Sequence, residues 1–312
     1  MTNIPISRRH LLAGAGALAA GALPVHAADT KPPEEPFRYM LNTSTIRGQK
    51  LALTEEIALA AKAGYHAIEP WIGELDQYAK DGGSLKDLGK RVRDVGLTVE
   101  SAIGFPEWIV DDDARRKKGL ETAKRDMEYV QQIGGKRLAA PPAGATNQGD
   151  LNLLRAAERY RKLGELGDEY GVVPMVEVWG FSKTLGRLGE ATLVAMESAY
   201  PKACVLPDVF HLYKGGSAFT GLKLVGPQTV QVIHVNDYPA LPSREKITDA
   251  ERVYPGDGVA PLKEMFRDLY RAGFRGHLSV ELFNRKYWME DPATVARTGL
   301  EKLRAVVRAA FV

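Results

Sequence analysis

The chain has a single cysteine among its 312 residues. Cys204 has no partner, so no internal disulfide can form and the fold must hold through its buried core. Histidine is scarce too: His10 and His26 precede the domain, leaving His66, His211, His234 and His277. These are too few for a multinuclear centre built on imidazole. Excess charge of one sign is also missing. The formal net charge of +3 includes Arg8 and Arg9, so the remainder is near neutral and shows no electrostatic footprint for nucleic acid. No Gly-rich phosphate turn follows the first strand-like run, which counts against a doubly wound dinucleotide-binding sheet. No linker after Pro36 is long enough to divide two domains. What is present is ordinary globular composition, 45% hydrophobic and 26% charged, on a length that suits one large α/β barrel.

The first residues read as a targeting segment. Ser7-Arg8-Arg9-His10-Leu11-Leu12 leads into the apolar run Leu11–Leu23, and Val25-His26-Ala27 offers small residues for cleavage. The paired arginines look like a twin-arginine signal, with Leu11 where that motif usually carries Phe. The run falls short of the roughly 20 residues that span a bilayer, so a retained signal anchor is the weaker reading. The expectation is a signal peptide over residues 1–27, a proline-containing tether over 28–36, and one domain over 37–312. Twin-arginine export machinery would then deliver the folded, metal-loaded protein to the periplasm or beyond.

From Phe37 onward, short β-like runs alternate with helical patterns. The candidate strands are Phe37–Ser44, His66–Trp71, Thr98–Ile103, Arg137–Ala140, Val172–Val178, Cys204–Val209, Val230–Val235 and Leu278–Phe283. Helical periodicity fills the intervals, as in Thr54–Ala63 and Glu121–Ile133. Gly64, Gly96, Gly171 and Gly273 each stand where a helix should end, and an apolar residue follows each into a strand. Asp291-Pro292 supplies a cap and a first-turn proline for the last helix. Eight such units in succession predict a (β/α)8 TIM barrel.

Four of the later runs end on a metal-ligand type of side chain. Val172–Val176 leads into Glu177, Ala203–Pro207 into Asp208, Val230–Ile233 into His234, and His277–Val280 into Glu281. Burying an ionisable group without a partner costs several kcal/mol, and in a barrel the C-terminal strand ends share one face. A divalent cation held by Glu177, Asp208, His234 and Glu281 is the simplest common partner. Asp237 stands three residues after His234 and could orient the imidazole; otherwise it caps the next loop. Trp71, Trp108, Trp179 and Trp288 lie just past strand ends, where they could stack on a sugar ring or plug the rim. Glu69 and Glu107 are further polar residues near the mouth, each more simply a loop or salt-bridge residue.

Several motifs resemble the xylose-isomerase-like superfamily of sugar isomerases and epimerases, among them ketose 3-epimerases and inosose dehydratases. They are Leu41-Asn42-Thr43-Ser44, Leu138-Ala139-Ala140-Pro141-Pro142, Val176-Glu177, Asp208-Val209-Phe210-His211, Ile233-His234-Val235-Asn236-Asp237, Pro255-Gly256-Asp257-Gly258 and Val280-Glu281-Leu282. The resemblance implies one divalent ion, manganese before magnesium, cobalt or zinc, on Glu177, Asp208, His234 and Glu281. It also implies that Glu177 and Glu281 act as acid and base on opposite faces of a carbohydrate substrate, with His211 on a substrate oxygen. In the epimerases an arginine soon follows the HxxD segment. Here Tyr238 to Glu251 intervenes, and Arg252 is taken as its counterpart, in a remodelled pocket.

The expected reaction is isomerisation or epimerisation by proton abstraction next to a carbonyl, through an enediolate. A lyase or dehydratase acting on a keto-sugar or 3-keto-glycoside could use the same groups. Two other classes stand further off. Apurinic endonuclease IV shares the fold but needs more histidines, and a sugar-binding module would have no need of four convergent ligands. Homo-oligomers are frequent in the superfamily.

Overall fold

The computed structural model describes residues 35–312. The expected signal segment and nearly all of the tether lie outside the described residues. Eight parallel strands follow in chain order: β1 (Arg38–Asn42), β2 (Ala67–Glu69), β3 (Thr98–Val99), β4 (Arg137–Ala140), β5 (Val173–Glu177), β6 (Cys204–Leu206), β7 (Val232–Val235) and β8 (His277–Val280). Their ladders run β3-β2-β1-β8-β7 and β4-β5-β6. Single bridges close the two gaps: Ala102 with Leu138 between the third and fourth units, and Val205 with Val230 and Asp208 with His234 between the sixth and seventh. Each strand therefore neighbours the next, and the cylinder expected from the alternation is present.

The helices are α1 (Leu53–Ala63), α2 (Ile72–Lys80), α3 (Leu85–Asp94), α4 (Asp113–Gln132), α5 (Leu153–Tyr170), α6 (Leu188–Glu197), α7 (Val209–Lys214), α8 (Leu262–Arg271) and α9 (Pro292–Ala310). Their faces follow from spacing. In α8, Leu262, Met265, Phe266 and Leu269 are buried at the positions of one helical stripe. Gly64 and Gly171 end α1 and α5 with φ of 92° and 65°, a region where a side chain would cost energy. Asp291 caps α9 by accepting from the Thr294 N–H at 2.8 Å, with Pro292 in its first turn.

Strands β6 and β8 end three residues before the sequence reading has them end, at Leu206 and Val280, and two larger differences have physical causes. Helix α4 begins eight residues before Glu121, because the Asp112 side chain caps it by accepting from the Arg115 N–H at 2.8 Å. The intervening stretch is charged and shows no apolar stripe. Strand β3 stops at Val99, and the chain then switches partners: Ala102 bridges Leu138 while Ile103 bridges Trp71.

The core has two layers. Inside the barrel, Met40, Ala67, Ile103, Ala139, Met175, Cys204, Leu206 and Val232 form one buried cluster. A larger cluster fills the space between strands and helices. With the interior filled from below, the ionisable residues at the C-terminal strand ends face a single cavity.

Candidate metal centre and its pocket

His234, at the third position of β7, sits at the middle of the site and is wholly buried. Its Nδ1 lies 3.2 Å from Glu281 Oε2, 3.7 Å from Asp208 Oδ2 and 3.8 Å from Glu177 Oε1. Ligand atoms of Asp208, His234 and Glu281 all lie within 4.8 Å of one another. Glu177 stands beside this triad, and its Oε2 has no hydrogen-bond partner among the described residues. Neither ring nitrogen of His234 makes a properly directed hydrogen bond either. A buried imidazole with neither nitrogen satisfied and the unpaired Glu177 oxygen face the Asp208 and Glu281 carboxylates, a mixed N/O donor set that suits one divalent cation.

The ionisation pattern agrees with that fit. Burial alone would lower the His234 pKa, but the Glu281 and Glu69 carboxylates outweigh it and hold the ring protonated well above its usual range. Burial is the main reason Glu177 is pushed up to about 8; His234 opposes this, and the Glu281 and Asp208 charges add to it. A cation entering here would displace protons held in its place.

Glu69 ends β2 and is the residue the sequence reading undervalued. It is fully buried, with Oε2 3.1 Å from His234 Nε2. Asn42 Nδ2 donates to it at 2.8 Å, Ser279 Oγ at 2.7 Å, and Ser101 Oγ donates to its other oxygen. Burial raises its pKa, but His234 and these hydroxyls outweigh burial and leave the carboxyl below its ordinary value. A fixed carboxylate behind the ring directs Nδ1 toward the other acids.

Arg252 is brought in by the long loop after β7. An antiparallel bridge between Asp237 and Val253 pins the feet of that loop, with both N···O distances at 2.9 Å. Lys214 Nζ fastens its middle by donating to the carbonyls of Arg244, Glu245 and Ile247 at 2.9–3.0 Å. The Arg252 guanidinium donates to Asp208 Oδ2 at 2.8 Å and to Glu281 Oε2 at 2.9 Å, and pairs with Asp249. Its Nη2 lies 3.2 Å from His211 Nε2. A guanidinium can only donate, so Nε2 is the accepting nitrogen and the His211 proton sits on Nδ1. Burial pushes the His211 pKa down to about 4, which keeps the ring neutral.

Above this floor opens a cavity of about 350 Å³. Glu177, His211, Arg252 and Glu281 line its base, and Trp71, Phe105, Trp179, Phe181, Phe283 and Trp288 line its wall.

A family model described as a xylose isomerase-like TIM barrel matches residues 57–306. The chain belongs to that family. An inosose isomerase of Bacillus velezensis is 26% identical over 263 residues, covering 83% of this chain and 93% of its own. A fructoselysine 3-epimerase of Escherichia coli O157:H7 is 24% identical over 290 residues, covering 84% and 96%. Among solved structures, the crystal structure of IolI protein with a bound zinc atom superposes with a TM-score of 0.81 at 22% identity, over 88% of this chain and 99% of that one.

Within this family barrel, Asp208, His234 and Glu281 come together with Glu177 adjacent, and His211, Arg252, Trp71 and Trp179 line the pocket as the sequence placed them. Two expectations are corrected. Asp237 does not support His234: its carboxylate accepts from the backbone N–H groups of Tyr238, Gly256 and Ala260 at 2.8–3.0 Å, bracing the loop instead. Trp108 is not at the mouth. It is fully buried in the outer core, its Nε1 donating to Pro141 O at 2.9 Å and its ring packed 5.9 Å from Tyr160. Glu107 pairs with Arg115 at the surface. Asn236, buried and donating weakly to Asp208 at 3.3–3.4 Å, had not been singled out.

Proposed function

We propose that this chain is a divalent-metal-dependent sugar isomerase or epimerase that moves a proton at a carbon next to a carbonyl. The observation that carries the reading is two buried carboxylates, Glu177 and Glu281, flanking one imidazole beneath an open, ring-lined cavity. The relatives' names, an isomerase and an epimerase, support the same reaction class.

Asp208, His234, Glu281 and Glu177 would hold the cation, manganese being the first choice, which would supply Lewis-acid stabilisation of negative charge on a keto-sugar. One of the two glutamates takes the proton from the acidified C–H, leaving an enediolate. The other returns a proton to the same carbon from its own side, or, for isomerisation, to the former carbonyl carbon while the hydroxyl proton passes to the former carbonyl oxygen. The neutral His211 keeps an unpaired Nδ1–H, and the Arg252 guanidinium, its N–H groups engaged by Asp208, Glu281, Asp249 and His211, adds positive charge beside the site as negative charge develops. Trp71 and Trp179 close the sides of the pocket. Export through twin-arginine machinery is part of the reading and rests on the N-terminal residues alone.

Solvent deuterium uptake into candidate keto-sugars tests the reaction. Label should enter without loss of any group, and Glu177→Gln should slow its entry by roughly 10²–10⁴-fold. Release of water or of an aglycone would instead indicate elimination on the same carboxylates. Unchanged exchange in the variant would refute the assignment of Glu177.

A further inference from the structure

The cavity wall is a continuous arc of aromatic rings. Centroids stand 6.0 Å apart from Phe283 to Trp71, 5.2 Å from Trp71 to Phe105, 5.8 Å from Phe105 to Trp179 and 5.2 Å from Trp179 to Phe181. Phe181 in turn meets His211 at 5.6 Å, so the arc descends to the catalytic floor.

The polar tip of Trp71 is already engaged, its Nε1 donating to Asn42 Oδ1 at 2.9 Å. The arc therefore presents mainly ring surface. A bare hexose bound along it would leave hydroxyls dehydrated and unpaired, which is unfavourable. At the outer edge, Phe105 and Phe181 remain 42% and 49% exposed. Apolar surface of that size, continuous with a reaction site, gains free energy when a ring covers it.

The geometry points to an aglycone subsite. The reacting sugar sits on the floor formed by Glu177, His211, Arg252 and Glu281, and a flat aromatic substituent stacks on Phe105, Trp179 and Phe181. The substrate class is thus an aryl glycoside in keto form rather than a free monosaccharide, which rests on the keto-sugar reading above. A second sugar in the same place would find its hydroxyl partners only off the arc, at Asp249 and Arg285 on the cavity lining.

Calorimetric titration of the manganese-loaded protein with methyl and phenyl glucosides of both anomers, and with cellobiose, tests the subsite. A phenyl glucoside should bind about tenfold or more tighter than the methyl glucoside of the same anomer. Cellobiose should resemble the methyl compound. The preference should shrink severalfold in a Phe105→Ala/Phe181→Ala variant, with retained manganese affinity as the check on folding, and a Phe→Leu pair as the alternative if that variant does not fold. The proposal is overturned if phenyl and methyl compounds bind alike or neither binds, if cellobiose matches the phenyl compound, or if the preference survives the variant. The reaction itself is judged separately by deuterium uptake into aglycone-free keto-sugars. Uptake without phenyl preference removes only the subsite, and phenyl preference without any uptake removes only the reaction.

Discussion

Replacing Glu69 with glutamine should weaken metal binding even though Glu69 offers no ligand atom to the cluster. The side chain is fully buried and touches four polar partners: His234 Nε2 at 3.1 Å, Asn42 Nδ2 at 2.8 Å, Ser279 Oγ at 2.7 Å, and Ser101 Oγ. Glutamine keeps the shape, and the serine hydroxyls can turn to satisfy an amide. What it cannot keep is the negative charge behind the imidazole. Loss of such a partner costs about 10–100-fold in metal affinity, or about 1.4–2.8 kcal/mol. A second, opposing effect has a different pH signature. Glu69 is one of two carboxylates that raise the His234 pKa, so in the variant the ring should lose its proton at lower pH. Proton competition with the metal should then fade earlier as pH rises. Titration with manganese from about pH 6 to about pH 9 separates the effects, because proton competition vanishes at high pH while loss of orientation persists. The expected result is weaker binding at the high-pH plateau, reached at lower pH than in the parent. Glu107→Gln, at a surface pair worth under about 1 kcal/mol, serves as the control. A Glu69→Gln protein with the parent's plateau and pH profile would refute the role argued here.

In the parent, manganese affinity should climb with pH and still be rising through about pH 8, where Glu177 titrates. His234 and Glu177 both have raised pKa values, so both hold protons that metal must expel at lower pH. The slope should lie between one and about two decades per pH unit, and a flat profile measured by calorimetry would contradict the shared site. Trp108→Ala should cost about 3–5 kcal/mol in denaturant unfolding with manganese affinity held within about twofold; a large loss of affinity at full stability would return Trp108 to the pocket. For the N-terminus, changing Arg8 and Arg9 together to lysine should abolish periplasmic recovery of an otherwise soluble protein in fractionated cells, and unaltered recovery would count against twin-arginine export.

The barrel was legible because its determinants are local. A glycine cap needs only its own φ, and the strand Arg137–Ala140 matches β4 at both ends because Gly135-Lys136 precede it and Pro141-Pro142 follow it. The third strand was overextended for a non-local reason. Thr98–Ile103 reads as one run, yet pairing passes from β2 at Val99 to the fourth unit at Ala102. Between them Ser101 turns its hydroxyl onto Glu69. The start of α4 was missed because its first turns pack little apolar surface. Gly119, where an added Cβ would sit 2.6 Å from the Glu107 backbone, was the one sign of close packing there.

The site divides along the same line. Glu177, Asp208, His234 and Glu281 stood out because each ends an apolar run long enough to notice. Glu69 ends such a run too, but Ala67-Ile68 is only two residues long, and from sequence it reads more simply as a loop or salt-bridge residue near the mouth. Asp237 attracted the role of imidazole partner because it is near His234 in sequence. That nearness is what disqualifies it: two residues beyond the end of β7 the chain has already turned, and the carboxylate is spent on the loop's own N–H groups. The position behind a ring at the rim belongs to a strand across the cylinder, which here is β2. For a histidine at a barrel strand end, the supporting carboxylate is therefore better sought among acids ending the other strands than among residues that follow the histidine. Spacing along the chain specifies caps and turns, whereas partnership across the barrel is set by which strand ends reach the same depth.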